Sequence, residues 1–115
     1  MTVALADLNR LEDALVRYDV ALQLKPDYAA AHNDRGNALL RLKRLDEALA
    51  SYEQAVRFKP DYAEAQNNLG TVLREQGRLD EAAGCFRAAL DANPNHPAVH
   101  NNLAMALQEQ GRVEE

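Results

Sequence analysis

His96 and His100 stand four residues apart, a spacing that on a helix puts two imidazoles on one face, as half of a divalent-metal site would need. Two ligands are too few for such a site and no third is apparent nearby, so the pair reads as helix-start histidines and no metal or cofactor is expected. Cys85 is the single cysteine, and neither a neighbouring His nor a Gly-rich nucleophile turn is there to activate it. Alone it builds no disulfide framework and no thiolate zinc site within one chain. Nothing resembles a phosphate loop, a paired-carboxylate site or a nucleophile elbow, so no enzymatic activity is expected. The remaining candidates are amides. Asn67, Asn68, Asn101 and Asn102 each offer donors and an acceptor, and such pairs can engage the backbone of an extended peptide whatever its sequence. The competing reading is that they only decorate a solvated helix face.

The chain has 115 residues, enough for one domain and too few for two independent globular units. Its formal charge of -5 and the absence of a basic stripe argue against nucleic acid, whose binding draws on clustered Lys and Arg. No stretch approaches the roughly 18 apolar residues of a membrane span, and residues 1–7 lack the pattern of a signal peptide. With a lone cysteine, the expectation is a cytoplasmic protein that touches neither membrane nor nucleic acid. Apolar residues make up 47% of the chain but aromatics only 5%, with no Trp, and that balance suggests closely packed, Ala-rich helices.

What would position the amides is a repeat. Lys25-Pro26-Asp27-Tyr28 returns as Lys59-Pro60-Asp61-Tyr62 and, more loosely, as Asn93-Pro94-Asn95-His96, a period of 34 residues. Leu11-Glu12-Asp13-Ala14, Leu45-Asp46-Glu47-Ala48 and Leu79-Asp80-Glu81-Ala82 interleave at the same period, and Val113-Glu114-Glu115 begins another copy. Each period predicts two helices. Asp27, Asp61 and Asn95 are expected to cap the first of them, Asp61 with Glu64 as a capping box. The acidic pairs fall in the first turn of the second, where the helix dipole favours them. Asn9, Gly77 and Gly111 share the position between the helices where a left-handed residue would end the first; Lys43 stands there in the remaining copy. Gly36, Gly70 and Ala104 recur on first helices, and Ala14, Ala48 and Ala82 on second ones. Tyr18, Tyr52 and Phe86 place a ring one turn beyond those alanines, expected to pack against the next repeat.

These small, aromatic, Ala and Pro positions resemble the tetratricopeptide repeat over nearly the whole length. The run Asn67-Asn68-Leu69-Gly70 followed by Gly77-Arg78-Leu79-Asp80-Glu81-Ala82 is similar to repeats of bacterial arrays and of those beside protein O-glycosyltransferase domains. The chain departs from the family where His32, Gln66 and His100 stand in place of a large residue such as Trp, and where Arg35 replaces Leu. The resemblance implies an all-α, right-handed superhelical solenoid of antiparallel helix pairs whose first helices line a concave groove. It implies one domain over residues 1–115, with a partial repeat 1–27, repeats 28–61 and 62–95, and a partial repeat 96–115. Groove residues are then Asn33, Asp34 and Asn37, followed by Asn67, Asn68 and Thr71, and then Asn101, Asn102 and Met105. Asn68 and Asn102 match the family's asparagine ladder that grips peptide main chain, whereas Asp34 departs from it. A second family mode, the clamp on a chaperone's terminal carboxylate, finds Asn37 and Asn68 in place. Its cationic positions hold Asn33, Ala98 and Asn102, so the charge for a carboxylate is missing.

The helices are expected at 3–8, 11–24, 28–42, 45–58, 62–76, 79–92 and 96–110, with Val99, Leu103 and Leu107 left uncovered on the last. Uncovered first and last helices predict self-association. The function this supports is a protein-interaction module holding a peptide or partner segment in its groove. Two alternatives stand beside it: a substrate-recruiting part of a larger enzyme of the O-glycosyltransferase kind, and a self-assembling structural module.

Overall fold

The computed structural model describes the backbone of residues 5–114 and the surroundings of side chains 7–112. Six α-helices and no strand occur among the described residues, in two compact units, Met1–Phe58 and Lys59–Glu115. The first holds α1 (Leu5–Leu24), α2 (Ala29–Arg41) and α3 (Leu45–Phe58); the second holds α4 (Ala63–Glu75), α5 (Leu79–Ala92) and α6 (Pro97–Glu114). In each unit the closest pairing joins helices that are consecutive through a three-residue link, α2 with α3 and α4 with α5. In the first unit α1 also packs on α2, and in the second α6 packs on α5.

Both links close in the same way. Lys43 and Gly77 adopt left-handed backbones, with φ of 60° and 78°. The Arg44 N–H donates to the Leu39 carbonyl at 2.9 Å and the Lys43 N–H to Leu40 at 3.0 Å; Arg78 to Leu73 at 2.9 Å and Gly77 to Arg74 at 3.0 Å repeat the pattern. This is the Schellman closure, which satisfies carbonyls that a helix end leaves open. The next residue then clamps the start of the second helix. The Arg44 guanidinium reaches Glu47 at 2.9 and 2.7 Å, and that of Arg78 reaches Glu81 at 3.1 and 2.6 Å. The hydrogen bond to Glu47 raises Arg44 above the ordinary arginine value, and the same bond holds the Glu47 carboxyl below the ordinary glutamate value.

A non-glycine residue in the left-handed region costs roughly 1 kcal/mol. Lys43→Gly is therefore expected to stabilise the first unit by about that amount. Thermal denaturation would measure it, and an unchanged or lower midpoint would mean that the Lys43 side chain offsets its own backbone strain.

Asn9 and Gly111 do not form this link. Each lies inside a helix, so that α1 is continuous where two helices were expected and α6 runs past residue 110. Residues 3 and 4 of the expected first helix lie outside the described ones. A left-handed turn is held by two helices folding onto one another, and neither position joins such a pair among the described residues. The backbone keeps its helical hydrogen bonds, and Gly111 adds about 1 kcal/mol of propensity cost without breaking the helix. Consequently Glu12 and Asp13 sit in mid-helix, and the first-turn acid of α1 is Asp7.

The core of each hairpin is an aromatic ring seated on a glycine. Ala48, Tyr52 and Ala55 of α3 are fully buried, as are Ala82, Phe86 and Ala89 of α5. A Cβ built on Gly36 would lie 2.6 Å from Tyr52 Cε1, and one on Gly70 would lie 2.6 Å from Phe86 Cε1. The rings thus pack within their own hairpin; the expectation that they face the next repeat is corrected, because the small residue of the first helix opens a seat directly opposite. The Tyr52 hydroxyl donates to Asn37 Oδ1 at 2.6 Å.

Helix starts also differ from expectation. Tyr28 and Tyr62, not Asp27 and Asp61, occupy the cap positions of α2 and α4, with no side-chain cap bond. With Asp61 one residue too early, the capping box with Glu64 cannot form. The preceding loop is instead tethered by the residues that stand where the family has Trp. His32 Nε2 donates to the Pro26 carbonyl at 2.9 Å, Gln66 Nε2 to Pro60 at 3.1 Å and His100 Nε2 to Pro94 at 2.8 Å. His32 also stacks on Phe58, centroids 5.7 Å apart. At the start of α6, His96 Nδ1 accepts from the Val99 N–H at 3.4 Å, in place of the expected Asn95. Val99 itself, expected to be uncovered, is fully buried because α6 packs on α5; Leu103 is half-buried and Leu107 is 40% exposed.

Candidate functional site

In the second unit the predicted groove residues gather where α4 approaches α6. The Asn102 Nδ2 donates to Asn67 Oδ1 at 2.9 Å, joining the two helices through a pair of amides. The Thr71 hydroxyl turns back to the Asn67 carbonyl at 2.9 Å and so serves the helix as well as the surface. Two turns along α4, Arg74 bridges to Glu109 at 3.3 Å and lies 3.8 Å from the Met105 sulfur. Asn101, exposed, lies 3.7 Å from the same sulfur. Asn68 is half-buried and already engaged within the protein.

The amide pair leaves a defined remainder. With Asn102 donating to Asn67, the Asn67 NH2 and the Asn102 carbonyl oxygen have no partner among the described side chains. Both residues are half-buried, so a donor and an acceptor stand side by side at the surface. A peptide unit presents the complementary pair, a C=O and an N–H.

In the first unit the expected residues separate. Asn33, expected in the groove, is fully buried and already engaged within the protein. Asp34 and Asn37 line a cleft of about 420 Å³ between α1 and α2, opposite Asp7, Arg10 and Tyr18, with Arg41 at its edge. Asn37 is held by the Tyr52 hydroxyl. Arg35, the departure from the family's Leu, bridges all three helices of the unit: its Nε donates to Asp19 of α1 at 2.9 Å and its Nη1 to Ser51 of α3 at 2.7 Å.

Sequence reasoning missed the Arg74–Glu109 bridge, the Arg35 bridge and the cleft. For the first a signal existed, because Asn67 to Asn102 and Arg74 to Glu109 are both separated by 35 residues, one repeat and one residue. His96 and His100 each hold a helix-start bond through one ring nitrogen. No group of three His, Cys, Asp or Glu residues gathers as metal ligands would among the described residues, and no helix there is long and apolar enough to cross a membrane.

Comparison with known proteins bears on the repeat directly. A TPR repeat family model matches residues 4–43 and 36–73, and a tetratricopeptide repeat model matches residues 67–115. No curated protein sequence matches the chain. Among solved structures, the first TPR of Spaghetti (RPAP3) bound to HSP90 peptide SRMEEVD is similar with a TM-score of 0.84 at 22% identity, over 90% of this chain and 82% of that one. The Arabidopsis OM64 TPR domain gives 0.79 at 24% identity, covering 85% and 81%. MamA gives 0.82 at 21% identity, covering 88% of this chain and 59% of MamA. At these identities the likeness is one of fold.

Proposed function

Since this chain belongs to the tetratricopeptide repeat family, we propose that it is a protein-interaction module that holds an extended segment of a partner protein by its main chain. The observation that carries this is the amide pair of Asn67 and Asn102, with its unused donor and acceptor set side by side between α4 and α6. Main-chain recognition fits the lack of cations at Asn33, Ala98 and Asn102, where a clamp on a terminal carboxylate would need them. The HSP90 peptide held by the RPAP3 domain supports the general mode, not the same ligand. We place the module in the cytoplasm and nearest the bacterial and O-glycosyltransferase-associated repeats, on the Asn68 and Asn102 ladder positions; recruitment of substrate for such an enzyme is the narrower version of the same function.

The test is affinity capture with the chain beside a variant carrying Ala at Asn67, Asn68, Asn101 and Asn102, with helicity compared. Partners retained by the native chain and lost by the variant are the expected result. Equal capture by both would remove the amide ladder from the binding surface. A second reading, self-association, is favoured by one separate observation, the open cleft between α1 and α2.

A further inference from the structure

By repeat register α1 is a second helix of a hairpin and α6 is a first helix, yet each lies outside the two hairpins formed among the described residues. Their exposure shows the difference. Tyr52 and Phe86 are fully buried, and Tyr18, their counterpart, is half-exposed. Leu39 and Leu73 are 0% and 4% exposed, but Leu107 is 40% exposed. Ala104 is exposed where Gly36 and Gly70 are buried under rings. At Leu24, 83% exposed, the counterpart Phe58 lies on His32. What is open on α1 is the face that receives a first helix; what is open on α6 is the face that receives a second.

We propose that α6 of a second copy of this chain seats in the cleft of about 420 Å³ between α1 and α2, completing a hairpin from two chains. This rests on the self-association reading, and of the four amides assigned to peptide binding only Asn101 takes part in it. The established hairpin interface continues across the contact. As Tyr52 sits on Gly36, Tyr18 sits on Ala104 of the second copy, standing further off because Ala104 carries a methyl. As Phe58 lies on His32, Leu24 lies on His100 of the second copy.

The polar register agrees. In the second unit α4 lies against α5 and α6, and its Asn67 pairs with Asn102. Carried one repeat on, that pairing sets Asn101 of the second copy against Asp34, an amide N–H against a carboxylate. The bridge of Arg74 to Glu109, carried on likewise, sets Gln108 of the second copy against Arg41. Both Asp34 and Arg41 line the cleft. The straight passage of α1 through Asn9 and of α6 through Gly111 suits this arrangement, since a hairpin made by two chains needs no turn. The contact joins unlike faces, so it repeats head to tail.

Sedimentation velocity over rising concentration, with chemical cross-linking, tests it. In a Cys85→Ser background, a Tyr18→Cys chain is mixed with an Ala104→Cys chain, and a Glu53→Cys chain serves as the control partner. The expected result is a mass that grows with concentration, a disulfide between Tyr18→Cys and Ala104→Cys chains but not with the control, and association weakened about tenfold or more by Leu107→Glu at unchanged helicity. A monomer at every concentration overturns both the contact and self-association. Association that survives Leu107→Glu and gives no selective disulfide overturns this contact alone.

Discussion

Replacing Phe86 with Ala is expected to destabilise Lys59–Glu115 by about 3–5 kcal/mol, the range for deleting a buried aromatic side chain. The ring is fully buried and its edge is seated on Gly70, 2.6 Å from where a Cβ would stand. Ala at position 86 leaves a void bounded by backbone, which cannot collapse without moving α4 against α5. Small domains hold about 5–15 kcal/mol in total, so a large share of the stability goes with one side chain. Urea denaturation followed by helicity would measure the loss. A change under about 1 kcal/mol would mean that the hairpin repacks, contrary to the tight seat described here. Tyr52→Ala is the matching change in the first unit and removes, in addition, the hydroxyl that donates to Asn37.

The second large effect has a sign that two opposed terms decide. Gly36→Ala gains helix propensity, up to about 1 kcal/mol in mid-helix. Against this, the new methyl meets Tyr52 Cε1 at 2.6 Å and Cδ1 at 2.7 Å. Ring atoms at the end of a side chain can often yield, but this ring is fully buried and its hydroxyl is tied to Asn37 at 2.6 Å. Overpacking of that kind costs about 1–3 kcal/mol, so the net effect is expected to be destabilising. Gly84→Ala is the contrast, because nothing lies within 4 Å of the added Cβ and only the gain of up to about 1 kcal/mol remains. Opposite shifts in the denaturation midpoint would bear out the argument; equal shifts would overturn it.

Helices α3 and α5 could be read from the sequence to the residue, because an Arg–Leu start, an Ala–ring–Ala face and a Lys-Pro or Asn-Pro stop all agree. The starts of α2 and α4 could not. Tyr28 and Tyr62 are poor caps by type, and the tether to the Pro carbonyl comes from a side chain one turn inside the helix. The groove was partly legible. Asn33, Asn67 and Asn101 share one column of the repeat, yet the first is buried, the second half-buried and the third exposed. Burial depends on which element stands opposite, and a residue's own place in the repeat does not encode that. For the same reason Asn9 and Gly111 read as turns: their residue types permit a left-handed backbone, but only a returning helix makes it the stable choice.

The histidines at the helix starts divide into two kinds by the nitrogen they use. A carbonyl only accepts, so His32 and His100 must carry their proton on Nε2. His96 uses the Nδ1 lone pair to hold the Val99 N–H, which leaves its proton on Nε2. All three rings therefore share the Nε2–H tautomer, two of them spending that proton on a carbonyl and the third spending the opposite lone pair on an N–H, so that the ring nitrogen resonances of three residues would read one tautomer put to two uses.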